Sequence, residues 1–195
     1  KNTASKPFIK KTSAPKPRIS DSQKFMGKTL LSIDIGQHTT KLVLGRMLKT
    51  AVEVKCARMF ETPRGSVENG KILDMAALSS QIYNVIKREK LHAAFVLCTM
   101  ENAEIITREI VVPTTDDAVM QNMLQFEVQQ YMPVDLDNYV IQSKMLDSFN
   151  DNGTDKTRFL STAVPKDLAQ SYFDLLQKID LKAAVLDIQS NSISK

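Results

Sequence analysis

Tryptophan is absent from this sequence, and cysteine, histidine and glycine number only two, two and six. Two isolated cysteines, Cys56 and Cys98, exclude a disulfide-stapled scaffold and a CxxC metal site. Each lies in an apolar, strand-like run, as buried thiols of a reducing compartment do. His38 and His92 stand too far from other ligand types to mark a metal cluster or a catalytic triad. No apolar run approaches the ~20 residues that span a bilayer. The Lys- and Pro-rich opening also lacks the apolar core of a secretory signal. With 43% apolar and 25% charged residues, the composition is that of an ordinary globular protein. The 195 residues fit one domain, or two small ones sharing a sheet.

The charge is unevenly placed. Residues 1–28 hold eight basic side chains and one acid, net +7, which against +4 for the chain leaves −3 for the remainder. Pro7, Pro15 and Pro17 fall among Lys, Ser and Thr, so this stretch cannot bury enough surface to offset its ordering entropy. It is expected to be a disordered basic arm. The arm suits contact with an anionic membrane surface, at about 1 kcal/mol per basic residue near the surface. A purely solvated tail is the plainer reading. No aromatic–basic interleaving or groove-reading motif is present, so nucleic acid is not an expected partner. Phe8 and Ile9 form an apolar pair in the arm, suited to plugging a groove of the folded body.

The most informative stretch is Thr29 to Gly45. Leu30–Ile33 and Leu42–Leu44 flank the polar turn Asp34-Ile35-Gly36-Gln37-His38-Thr39-Thr40, the pattern of a β-hairpin. Two readings of that turn stay open. In one, its Asp and Thr side chains only cap backbone groups. In the other, the amides of Gly36, Gln37, His38 and Thr39 converge on an anion, beside a carboxylate, Asp34, able to hold magnesium through water.

Downstream, Ala51–Phe60 alternates as a third strand. Asp74 offers an N-cap to a helix whose Met75, Leu78, Ile82, Val85 and Ile86 form one stripe. Ala93–Cys98 is a continuous apolar run, as expected of a strand covered on both faces. Near residue 100 the pattern restarts. A strand at Glu104–Val112 precedes a helix with Met120, Met123, Leu124, Val128 and Tyr131 expected on one face. Strands at Tyr139–Leu146 and Arg158–Val164 come next, with a polar loop, Asp147–Lys156, between them. A helix after Pro165 has Leu168, Tyr172, Leu175, Leu176 and Ile179 on its buried face, and Ala183–Ile188 returns as a strand. The class is α/β, with a β-α-β-β-α unit inserted between strands of the first sheet.

Several stretches together resemble the PilM family, actin-like proteins of type IV pilus assembly, and more distantly the FtsA division proteins. They are Leu31–Val43 (LSIDIGQHTTKLV), Gly65–Leu78 (GSVENGKILDMAAL), Leu181–Ile188 (LKAAVLDI), and Arg108–Val134. The last ends in the signature Phe126-Glu127-x-x-Gln130-Tyr131-x-Pro133. The resemblance implies an actin-like (ribonuclease H-like) subdomain 1A over residues 29–99 and 181–195, with subdomain 1C inserted as residues 100–180. It further implies a groove that receives the cytoplasmic N-terminal tail of a PilN-like membrane protein, with Phe126, Glu127, Gln130, Tyr131 and Pro133 the candidate contacts. Self-association through the insertion is a second implied contact.

For cofactors, the resemblance implies a half-site made of Asp34, Gly36, Gln37, His38, Thr39 and Thr40. The family places small hydroxyl residues where Gln37 and His38 stand, and the sequence stops where its second phosphate loop would begin. ATP and magnesium are therefore expected only in a longer protein, with Asp34 placing the metal. This chain is expected to serve as a cytoplasmic scaffold peripheral to the inner membrane, without hydrolytic activity. The rival readings are an ATP-binding fragment of a longer ATPase and an adaptor of a division or type II secretion machine.

Overall fold

In the computed structural model the described residues are 24–132 and 135–188. Strands β1 (Thr29–Ile35) and β2 (Thr39–Met47) form an antiparallel hairpin, and β3 (Val52–Glu61) continues the meander. A two-stranded ribbon, β4 (Val67–Glu68) and β5 (Lys71–Ile72), leads into helix α1 (Met75–Arg88). Strand β6 (Phe95–Met100) then lies parallel to β1, and β10 (Ala183–Ile188) parallel to β6. The resulting sheet has the order β10-β6-β1-β2-β3.

The sequence explains α1 locally. The Asp74 carboxylate accepts a hydrogen bond from the Ala77 amide at 2.9 Å, satisfying one of the donors that a helix start leaves unpaired. Lys87 and Arg88 sit in the last turn, where cations suit the carbonyl end of the dipole. Glu89 comes next and is held below the usual carboxylate range by hydrogen bonds from Arg58 and Arg88. Leu78, Ile82 and Val85 enter a core with Leu31, Ile33 and Leu42.

Between β6 and β10 the chain builds a second sheet, order β7-β9-β8, from β7 (Ile106–Pro113), β8 (Tyr139–Asp151) and β9 (Thr154–Pro165). Helix α2 (Asp117–Tyr131) covers one face of it, and Ile110, Val112, Met120, Leu124, Val128, Met132, Phe159 and Ala163 form a separate core. Helix α3 (Lys166–Lys178) behaves differently from the expectation that grouped it with this unit. Its Leu168, Tyr172, Leu175 and Leu176 belong to the core of the five-stranded sheet.

Four further expectations are corrected. Residues 24–28, read as part of the arm, are anchored: Phe25 is buried edge-on against Phe95 at 5.3 Å, and the Gly27 amide donates to the Met47 carbonyl at 2.8 Å. The rest of the arm lies outside the described residues. The polar loop Asp147–Lys156 is instead the end of a long hairpin, because Asn152 and Gly153 both take positive φ (51° and 85°) and make the two-residue turn that strand twist favours. A bulge between Met145 and Asp147 interrupts its register. Strand β6 alternates, with Val96, Cys98 and Met100 buried and Phe95 and Leu97 half-buried, since the described helices α1 and α3 share one core beneath a single face of the sheet. Cys98 is buried and Cys56 half-buried, both as free thiols; burial pushes the Cys98 pKa up to about 12.

The two halves meet at the β4–β5 turn. Asn69 and Gly70 have positive φ (45° and 72°), and a Cβ on Gly70 would stand 1.7 Å from the Glu101 carbonyl oxygen. The Tyr172 hydroxyl donates to the Gly70 carbonyl at 3.0 Å, and Asn102 donates to the Asn69 carbonyl. Tyr172→Phe is expected to cost about 1 kcal/mol of unfolding free energy, the worth of one hydrogen bond. Gly70→Ala should cost more, because it meets backbone as well as an unfavourable φ. Urea unfolding of the two variants tests that ranking.

Candidate functional site

The β1–β2 turn is held rigidly, and that decides which of its groups can meet a ligand. The Gly36 amide donates to the Thr39 carbonyl at 3.0 Å, so it closes the turn and is spent. Glycine is needed there because a Cβ would lie 2.9 Å from that same oxygen. Thr40 is fully buried, and its hydroxyl pairs with that of Thr62 at 2.8 Å. Thr62 in turn donates to the Gly36 carbonyl at 2.8 Å. These bonds strap the turn to the segment after β3, so the Thr40 hydroxyl faces the interior.

Two amides remain. Those of Gln37 and His38 have no hydrogen-bond partner among the described residues, and both residues are exposed. Asp34 is engaged on both oxygens: one pairs with Lys41 at 2.9 Å, the other accepts from Thr99 at 3.0 Å. Lys41 is thus the counter-ion of the carboxylate. A carboxylate keeps spare lone pairs, so Asp34 could still accept a metal-bound water, with Lys41 as competitor for the position.

The turn opens on a groove of about 590 Å³, lined by Gln37, His38, Thr39, Thr62, Arg64 and Leu73 among others. Thr62, Arg64 and Thr99 carry no sequence signal of a site. Thr62-Pro63-Arg64-Gly65 reads only as a turn, and the contact of Thr99 with Asp34 depends on the parallel pairing of β1 with β6.

The second candidate region is the end of α2. Phe126 and Tyr131 are 58% and 60% exposed, Gln130 is exposed and Glu127 half-buried; Pro133 lies outside the described residues. The expected single apolar face is corrected here. Met120, Leu124 and Val128 are buried, whereas Met123 and Tyr131 are exposed. The Glu127 carboxylate makes no hydrogen bond or ion pair among the described residues. Across all described residues, no cluster of three or more His, Cys, Asp or Glu side chains is arranged to hold a metal, and no helix is long and apolar enough to cross a membrane.

The family model for Type IV pilus assembly protein PilM matches residues 32–195. The chain belongs to the PilM family. The strapped turn and the exposed end of α2 both lie inside the region shared with PilM, while the basic arm precedes it. No curated protein sequence matches the chain significantly. Among solved structures, the PilM-PilN type IV pilus biogenesis complex aligns at a TM-score of 0.71 with 21% identity, over 83% of this chain and 47% of the other. The cytoplasmic domain of EpsL, an inner membrane component of the type II secretion system of Vibrio cholerae, aligns at 0.51 with 12% identity, over 82% of this chain and 57% of the other. At these identities the likeness is one of fold, which is actin-like. The chain spans about half the length of the PilM structure that it matches.

Because Thr40 is buried, removing its partner leaves a polar group unpaired away from water. Thr62→Val is therefore expected to destabilise by about 1–3 kcal/mol, and Thr62→Ser, which keeps the oxygen, to restore most of it. Chemical unfolding of both variants decides whether the strap works as described.

Proposed function

We propose that this PilM-family chain acts as an adaptor, binding the cytoplasmic N-terminal tail of a PilN-like inner-membrane protein and thereby residing at the cytoplasmic face of that membrane. The observation that carries the reading is the end of α2. Two aromatic rings, Phe126 and Tyr131, stand in solvent beside a carboxylate, Glu127, that has no partner among the described residues. Exposed aromatics beside an unpaired charge are the residue types that anchor interfaces. A tail carrying an apolar side chain and a base would complement both. The fold shared with a PilM solved in complex with PilN, and with the cytoplasmic domain of an inner membrane secretion component, supports the same class of role.

The tail-binding reading is tested by fluorescence anisotropy with a labelled N-terminal peptide of a PilN-like protein. Tyr131→Ala is expected to weaken binding by about fivefold or more, equivalent to about 1 kcal/mol for loss of an aromatic anchor. Unchanged affinity would remove this corner from the site.

The strapped turn supports an adaptor over an ATPase. Two free amides offer roughly 3–6 kcal/mol of charge-assisted hydrogen bonding, while immobilising a nucleotide costs about 4–15 kcal/mol. The amides of Gln37 and His38 would contact phosphate, and Asp34 would position magnesium only in a protein that supplies an opposite wall. Titration of this chain with Mg-ATP in a calorimeter should give no binding in the micromolar range. A micromolar isotherm would establish the nucleotide-binding reading instead.

A further inference from the structure

Helix α2 carries a second apolar stripe that the core does not use. Val119, Met123 and Phe126 recur at spacings of four and three, which align on one side of a helix, and all three are exposed. The buried stripe Met120, Leu124 and Val128 lies on another side. The charged residues of α2 and its N-cap are Asp116, Asp117 and Glu127, with no base among them. Asp116, the N-cap residue, makes no side-chain cap bond, and neither it nor Glu127 has an ion pair among the described residues. An apolar strip bordered by unneutralised carboxylates calls for an occupant that is both basic and apolar.

The chain itself contains such a segment. Residues 1–23 carry six bases and one acid, and Lys6-Pro7-Phe8-Ile9-Lys10-Lys11 places two large apolar side chains between lysines. The segment joins the described body at Lys24, next to the buried Phe25. Fourteen residues lie between Ile9 and Lys24, a span of up to about 50 Å when extended. That is about three times the ~16 Å radius of gyration expected for a chain of this length. Reach therefore does not exclude contact within one molecule.

We propose that residues 6–11 dock in cis on the outer face of α2, with Phe8 and Ile9 against Val119, Met123 and Phe126 and the flanking lysines facing Asp116 and Glu127. The contact is local and partly electrostatic, so it weakens as salt rises. Because Phe126 and Glu127 also belong to the tail site proposed above, arm and tail compete for them, and the docking of the arm is read on the chain alone with no tail present.

Trypsin reads this directly on the intact chain. Lys6 and Lys16 precede proline and resist cleavage, whereas Lys10, Lys11 and Arg18 are cleavable, and Arg18 lies outside the docking segment. At low salt, cleavage after Lys10 and Lys11 is expected to be about fivefold slower in the wild type than in Phe126→Asp or Phe8→Ala, since cleavage tracks the population of the open form. Cleavage after Arg18 should be the same in all three. Phe8→Ala leaves the folded body untouched, so the comparison survives even if Phe126→Asp fails to fold. Equal rates at Lys10 and Lys11 in wild type and Phe8→Ala would overturn the proposal. Protection that disappears on dilution would overturn it too, by showing the arm of a second copy on the helix.

Discussion

The whole architecture depends on one shared core, in which Leu31, Ile33 and Leu42 of the hairpin are buried with Tyr172, Leu175 and Leu176 of a helix more than 120 residues later. Each of these six side chains is inaccessible to water, and burying an aliphatic side chain of this size contributes on the order of 1.5–3 kcal/mol. Because α3 comes directly after β9, the chain cannot complete this core without first passing through the second sheet. The inserted unit is thus held at both ends by the first one. The β4–β5 turn adds polar contacts at the junction, through Tyr172 on Gly70 and Asn102 on Asn69.

That same dependence limits what a sequence can tell. Strong local signals are readable: the alternation of β1 and β2 around a Gly-containing turn, the Asp74 cap, and the helical stripe behind it. The membership of α3 in the first core is not, because a stripe of Leu and Tyr states that a helix is buried without stating beneath which sheet. In α2 the difficulty is sharper. Apolar residues occupy two sides of the helix, and only the position of the β7-β9-β8 sheet selects Met120, Leu124 and Val128 over Val119, Met123 and Phe126. The hairpin at Asn152-Gly153 carries its own turn signal, hidden by the polarity of the residues around it.

At the candidate site, the residues near the turn are legible in the sequence but their hydrogen bonding is not. Asp34, Gly36, Thr39 and Thr40 are close in the chain, yet Asp34, Gly36 and Thr40 are committed to internal contacts. Their partners include groups that sequence spacing cannot supply: Lys41 across the hairpin, Thr99 on a parallel strand, and Thr62 beyond β3. The exposed residues of the turn are instead Gln37 and His38, at the tip of a well-braced element. Phe126 and Tyr131, the exposed aromatics of the candidate interface, stand elsewhere, on the helix of the second sheet.

The bulge between Met145 and Asp147 has a consequence for the life of the protein outside its native contacts. Strand β8 is thirteen residues long and lies at the margin of its sheet, with Met145 and Leu146 exposed. A flat margin of that length would offer a template for fibril-like stacking between molecules. The extra residue bends the strand and breaks the regular spacing of its outward carbonyls and amides. Lys144 and Asp147 flank the apolar pair with charge, so the irregularity guards a crowded solution against aggregation.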